Sequence, residues 1–376
     1  MRLLFYQWHS FMNEGVIRGL QELQLEYDTF FYQLANWEED PVFVDKLSEQ
    51  LKNGGYDCVF SINYVPLISI LCEEKGIRYV SWVYDSPIHI RDLSSLSNSC
   101  NEIYFFDRGQ AEEYNKQGID AHYMPLAVDT IFWKEQVSKN SSFASLSDIS
   151  FVGQIYETQY SYFMGALSEY LRGYMEGIVC AQEKIYGGYL IPELVTEELL
   201  QKMNQEYEKV ATDDFQMGRR ELEFLLACET THRERLQILT LLGNHFDVHW
   251  YTADKETAIA NVTKHPYVDY STQMPVVFSK SKINLNISLK TIRTGIPLRA
   301  LDIMGCGGFL LSNFQVELAE YFVPGQECVF YDGLEDLYQK AAYYLTHDTE
   351  REQIAEAGYE RVKRDFTFRE RLSKML

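Results

Sequence analysis

YSTQMPVVFSKSKINLNISLKTIRTGIPLRAL, residues Tyr270–Leu301, carries Lys280, Lys282, Lys290, Arg293 and Arg299 and no Asp or Glu. Asp269 and Asp302 bracket it. Its middle, Ile283–Ile287, is a short apolar run of the kind that forms a buried strand. Arg293-Thr294-Gly295-Ile296-Pro297-Leu298-Arg299 follows. Gly295 and Pro297 suit a helix start, because a first-turn proline gives up an N–H that has no helical partner anyway. Leu298, Leu301 and Met304 then recur at helical spacing, and Gly305-Cys306-Gly307-Gly308 stops the helix. A strand feeding through a glycine turn into a helix is half of a βαβ unit, and chains of such units fold as parallel sheets covered by helices.

The alternation continues on both sides. Strand-like runs at Arg2–Tyr6, Tyr27–Tyr32, Tyr56–Ile62, Arg78–Tyr84, Glu102–Phe106 and Ala121–Pro125 are separated by helical spacing at Glu14–Leu23, Phe43–Lys52, Pro66–Glu74 and Gly109–Lys116. Lys139–Asp148 is Ser-rich, the composition of a linker or exposed loop. A new strand opens at Ile149–Gly153, and from about Gln159 to Leu242 the pattern is helical. Strands are expected again at Phe246–Tyr251, Tyr267–Tyr270, Ile283–Ile287, Phe309–Ser312 and Glu327–Phe330, then helices at Leu334–Thr346 and from Thr349 to about Arg364.

The expected fold is therefore α/β, with two Rossmann-like, doubly wound domains facing a cleft. The first is 1–130, the linker 131–148, and the second 149–365 with a helical insertion at about 159–242. A last segment, 366–376, is expected to cross back to the first domain. Ligands of such sheets bind beyond the C-terminal ends of the strands. In the first domain that points to His9–Gly15, Asn63, Asp85–His89 and Arg108.

Composition narrows the function. The 376 residues include 34 Lys+Arg and 55 Asp+Glu, a net charge of −21, so nucleic acid and anionic membranes repel the chain at long range. No run approaches the roughly 18 apolar residues of a spanning helix. MRLLFYQWHS is not expected to act as a signal peptide, and the seven scattered cysteines form no CxxC pair. A cytoplasmic protein with reduced thiols is expected. There is no HExxH or Asp-x-Asp, so no metal site is expected. Neither GxGxxG after the first strand nor GxxxxGK[ST] occurs, and Ser61 and Ser86 lack a GxSxG setting.

The basic window has two readings, a solvated face or a site for a multiply charged anion such as a diphosphate. The turn into a helix favours the second, because free N–H groups at a helix N-terminus bind phosphate. Arg299 and Asp302, three apart, share one helix face. They form either a surface ion pair or a base for phosphate beside a carboxylate for a ribose diol.

SKINLNISLKTIRTGIPLRALDIMGCGGFLLSNFQVELAEYF (Ser281–Phe322) resembles the donor-binding segment of GT-B glycosyltransferases, in particular the CgeB-like, spore maturation protein type group. ISFVGQIYE from Ile149, PLAVDTIFW (Pro125–Trp133), FSINYVPLIS, WVYDSP and the terminal FTFRERL are similar to other parts of that group. The resemblance implies a metal-independent transfer of sugar from a nucleoside-diphosphate donor, a UDP-sugar, with no other cofactor. Asp302 in Asp302-Ile303-Met304-Gly305-Cys306-Gly307 takes the place of a Glu that binds the ribose hydroxyls. Eight residues earlier many relatives carry another Glu; here it is Thr294. Lys290, Arg293 and Arg299 are candidates for the diphosphate, with the N–H groups of Gly295 and Ile296. Gly153 is a candidate for close backbone approach to the phosphates, and Tyr270 for stacking on the base.

On the acceptor side, His9, Asp85 and His89 fall at strand ends, where a carboxylate or imidazole can take the acceptor proton. Asp85 equally suits a turn cap before Ser86-Pro87. Residues 1–130 hold about twice as many acids as bases, which favours a soluble protein or glycan acceptor over a lipid carrier. The helical insertion is a candidate for acceptor shaping or for a homo-oligomer interface. Thr294 favours one alternative, a non-catalytic nucleotide-binding partner subunit; a sugar-nucleotide epimerase on the same architecture is another.

Overall fold

The computed structural model describes residues 1–88, 90–143, 146–210 and 214–376. The chain divides into two compact units, each built on one parallel sheet.

The first unit takes in residues 1–135, 294–305 and 359–376. Its strands are β1 (Arg2–Gln7), β2 (Glu26–Phe31), β3 (Cys58–Ile62), β4 (Arg78–Val83), β5 (Asn101–Phe105) and β6 (Ala121–Tyr123). They pair in the order β2-β1-β3-β4-β5-β6, all parallel. Register sets Phe5 beside Phe60 and Phe60 beside Val80. β3 is buried along its whole length, as the unbroken apolar run of a central parallel strand requires. Leu4, Tyr6, Phe43, Val59, Ile68, Tyr79 and Ile103 share one core. The helix Pro41–Gly54 starts where Asp40 accepts the Phe43 N–H and stops at left-handed Gly55.

The C-terminal helix Phe368–Met375 closes on this unit. Val128 N–H donates to the Phe366 carbonyl at 2.8 Å, and the Trp82 and Phe368 rings meet edge to face. Arg78 pairs with Glu102 and donates to the Met375 carbonyl at 2.7 Å. A cation on the last carbonyls of a helix satisfies acceptors that have no intrahelical donor. Glycines at positions 15 and 19 make the close approach possible. A Cβ at Gly15 would enter the Phe368 ring, and one at Gly19 would stand 2.7 Å from a Leu372 methyl.

The second unit takes in residues 136–293 and 306–358. Its strands are β7 (Ser147–Val152), β8 (Val248–Tyr251), β9 (Val262–His265), β10 (Ser281–Asn286), β11 (Leu310–Asn313) and β12 (Val329–Tyr331). They pair in the order β12-β11-β10-β7-β8-β9, all parallel. Ile149, Phe151, Trp250, Ile283, Leu285 and Leu311 are in its core. The insertion between β7 and β8 has a core of its own, including Leu171, Met175, Ile178, Met203, Leu222 and Leu226. Its longest helix is Arg219–Gly243.

Two local expectations are corrected. The strand expected at Tyr267–Tyr270 lies earlier, at Val262–His265. Pro266 has no N–H to extend the ladder, and Asp269 then accepts the N–H groups of Ser271 and Thr272 in a turn. The expected linker, 131–148, begins instead inside a helix, Thr130–Lys139, and ends inside β7.

In an isolated helix Gly15→Ala would gain about 1 kcal/mol. Here the Cβ meets Phe368, so a loss of roughly 1–3 kcal/mol is expected from overpacking. A lower melting temperature by calorimetry checks it; an unchanged or raised one contradicts the close helix contact.

Candidate functional site

The strand order of the first sheet reverses at β1, whose neighbours are β2 and β3. Loops leaving the C-terminal ends there part, and the gap is the usual ligand crevice. A cavity of about 280 Å³ fills it, lined by Trp8, Trp37, Asn63, Tyr64, Val83, Asp85, Ile88 and Ile90. Trp8 follows β1; its indole N–H donates to the Ile62 carbonyl at 2.9 Å. Asn63 follows β3 in the left-handed region, φ 61°, which Asn tolerates better than most residues. Its amide donates to Asp85 Oδ2 at 2.6 Å and accepts the Tyr84 N–H at 2.9 Å. Asp85 is thereby held facing the crevice. Burial, then the nearby Asp85 charge, pushes the Tyr84 hydroxyl above its ordinary range. His9, next to Trp8 in the chain, is exposed, its backbone N–H on Gln33 and its ring edge-on to Phe31. His89 lies outside the described residues.

Thr294, Gly295, Ile296, Arg299 and Asp302 also belong to the first unit. Asp107 gathers them. Its Oδ1 caps the helix Arg108–Lys116 by accepting the Gly109 N–H at 3.0 Å. The same oxygen accepts the Thr294 N–H at 3.2 Å and the Thr294 hydroxyl at 2.9 Å. The Thr294 hydroxyl in turn accepts the Gly109 N–H at 2.9 Å. Gly295 lies so close that a Cβ there would stand 2.9 Å from Asp107 Cα. Ile296 is fully buried. On the helix Leu298–Gly305, Arg299 stands 3.9 Å from Asp302, whose side chain is only 2% exposed. The two residues expected to share a face do so.

The second sheet reverses at β7, between β8 and β10. Gly153 follows β7; its carbonyl accepts the Trp250 indole N–H at 2.8 Å. Here Arg235 bonds the carbonyls of Gln154 and Ile287, one from each of the two parting loops. Burial lowers its guanidinium below the ordinary arginine range. Next to it, Lys290 Nζ stands 3.0 Å from Glu234 Oε2, both side chains almost fully buried. Neither Glu234 oxygen has a well-formed hydrogen bond, so charge rather than a directed bond holds the pair. Lys290 also lies 4.7 Å from the centre of the Tyr186 ring, and burial followed by Glu234 pushes the Tyr186 hydroxyl up. Arg293 stacks over Tyr189 at 5.5 Å. Tyr270 sits half-buried in the turn before the helix Met274–Lys280.

Trp8, Trp37, Asp107, Glu234 and Arg235 were not anticipated as site residues. Asp107 reads in sequence as an ordinary helix cap, which it also is. Glu234 and Arg235 left a signal. Leu222, Leu226, Thr230, Glu234, Ile238 and Leu242 recur every fourth residue, as do Ala227, Thr231, Arg235 and Leu239. Both charges interrupt lanes that face the core.

Residues 219–376 match the family described as Glycosyl transferase-like. Sucrose-phosphate synthase from Thermosynechococcus elongatus is 9% identical, with 100% of this chain and 97% of that chain covered and a TM-score of 0.57. HepE from Anabaena, solved in complex with UDP-glucose, is 11% identical, with 100% and 98% covered and a TM-score of 0.51. The spore protein CgeB of Bacillus subtilis is 32% identical over 77 residues, 20% of this chain and 23% of that protein. The chain has the GT-B fold, and its match to the glycosyl transferase-like family lies in the C-terminal part, residues 219–376.

Removing one partner of a buried ion pair strands the other charge, at a cost of roughly 3–5 kcal/mol. Glu234→Ala is therefore expected to lower the melting temperature strongly. Glu234→Met combined with Lys290→Met is expected to recover much of the loss. Equal losses in the single and double variants would show that the pair is not what the site depends on.

Proposed function

We propose that this chain, a GT-B glycosyltransferase, moves a sugar from a UDP-sugar to a soluble protein or glycan acceptor without a metal ion. One observation carries the reading. The glycosyl transferase-like match spans the whole acid-free window and the helix that ends it, where Arg299 stands 3.9 Å from a buried Asp302. The UDP-glucose complex of the similarly folded HepE supports the choice of nucleotide.

In this reading Asp302 takes the ribose hydroxyls. Arg293, Arg299 and the Gly295 and Ile296 N–H groups take the diphosphate, Gly153 lets backbone approach it, and Tyr270 stacks on the base. Lys290, already paired with Glu234, supports the fold of the site instead. Transfer breaks the bond from the anomeric carbon to phosphate and forms one to the acceptor oxygen. The leaving diphosphate gains charge, and fixed cations stabilise it without reorganising. The acceptor hydroxyl loses a proton, which Asp85, His9 or His89 receives. The reduced-cysteine composition fits a cytoplasmic enzyme, and exposed Tyr162 and Tyr170 make the insertion the face for self-association.

Thr294 favours a second reading. Its hydroxyl is committed to Asp107 and Gly109, at the position where related enzymes carry a carboxylate. A partner subunit that binds nucleotide without turnover would tolerate that.

UDP is expected to raise the melting temperature, and Arg299→Ala to remove most of that rise. No shift with any nucleoside diphosphate or nucleotide sugar overturns the donor reading. A UDP shift without turnover of any UDP-sugar selects the partner subunit. An epimerised donor in the absence of acceptor selects an epimerase.

A further inference from the structure

We propose that the cavity at the C-terminal ends of β1, β3 and β4 binds an uncharged sugar ring, so that the acceptor is a glycan rather than a protein side chain. The proposal rests on the glycosyltransferase reading and names the substrate class of its acceptor side.

The walls decide the chemistry. The Trp8 indole N–H is consumed by the Ile62 carbonyl. Its ring runs parallel to Tyr84, 3° apart in plane, and the Trp37 ring meets it edge-on at 5.2 Å. Trp8 thus offers the cavity ring surface and not its N–H. A pyranose ring presents patches of C–H with hydroxyls around its rim. Aromatic surface takes the C–H patch, and a few placed polar groups take the hydroxyls. The Asp85 carboxylate is such a group. Asn63 accepts the Tyr84 N–H and donates to Asp85 Oδ2, which fixes the carboxylate at the cavity wall.

Size and charge exclude the competitors. At about 280 Å³ the cavity lies below the roughly 300–1,000 Å³ of drug-sized sites, which suits a single ring. Among the described residues no Lys or Arg lines it, and Asp85 does. A phosphorylated sugar or an acidic peptide would bring a second negative charge against that carboxylate. A peptide of any charge would press backbone N–H and C=O groups against Val83, Ile88 and Ile90, which offer no side-chain hydrogen bonds. Leaving such groups unpaired is costly, whereas the C–H face of a sugar loses nothing there.

The test is saturation-transfer NMR on the whole protein with UDP present. The probes are methyl hexopyranosides, glucose 6-phosphate and a neutral Ser/Thr-containing peptide. At least one methyl hexopyranoside is expected to show saturation of its ring protons, and glucose 6-phosphate and the peptide none. Trp37→Ala is expected to weaken that glycoside's binding at least tenfold while the UDP-induced melting shift stays intact. Asp85→Asn, which keeps the side chain's shape, is expected to weaken it as well. A retained UDP shift shows that each variant is folded. Binding of the peptide or the sugar phosphate without any glycoside, or glycoside binding indifferent to both variants, overturns the proposal. Loss of the UDP shift in the wild type overturns the donor reading instead, and the glycoside signal is read separately.

Discussion

Every strand in both sheets runs the same way as its neighbours, so no two can be joined by a tight hairpin, and each connection must cross a face of the sheet. All strand exits of a sheet therefore lie along one edge. At β1, and again at β7, the chain goes first to one side and then to the other, and the exit loops separate. What fills each gap differs. In the first sheet Trp8 and Asn63 border a cavity. In the second, Arg235 spans the gap by binding one carbonyl from each loop. A buried arginine needs acceptors on several sides, and strand-end carbonyls without ladder partners supply them. Glu234 and Lys290 add a buried charge pair beside it, at an energetic cost that a purely apolar plug would avoid.

The parallel architecture was legible because central strands announce themselves. Cys58–Ile62 and Arg78–Val83 are mostly apolar, each with two β-branched residues, and left-handed glycines end the helices before them, at Gly55 and Gly76. Val262–His265 was not legible for the opposite reason. It is the edge strand of its sheet, half-exposed, with Thr263 and Lys264 in the middle, so it carries no apolar pattern. The nearby Tyr267 and Val268 drew the expectation past Pro266, where no strand can continue in register.

Pairing between distant side chains was less accessible. Asp107 and Thr294 stand 187 residues apart, and nothing in either local sequence points to the other. Each looks sufficient alone, Asp107 as a helix cap and Thr294 as a turn residue before glycine. Their meeting explains Gly295, because a side chain there would collide with Asp107 itself. Arg299 and Asp302 were accessible because helix geometry alone brings residues three apart together.

The acid-free window changes meaning in three dimensions. Five bases in 32 residues read as a basic patch, but a patch is made by neighbours in space. Lys282 pairs with Asp148 at 2.8 Å, Lys290 with Glu234 at 3.0 Å, and Arg299 faces Asp302. Acids from outside the window thus neutralise much of its charge. A base already paired and buried offers an incoming anion little, because new attraction must first offset the pair it breaks. Arg299 differs in exposure, with 29% of its side chain open to solvent against 6% for Lys290. Arg293 lies with its guanidinium over the Tyr189 ring, 5.5 Å from its centre. The lysine that looked equally suitable in the sequence is the one whose charge is spent on holding Glu234 inside the fold.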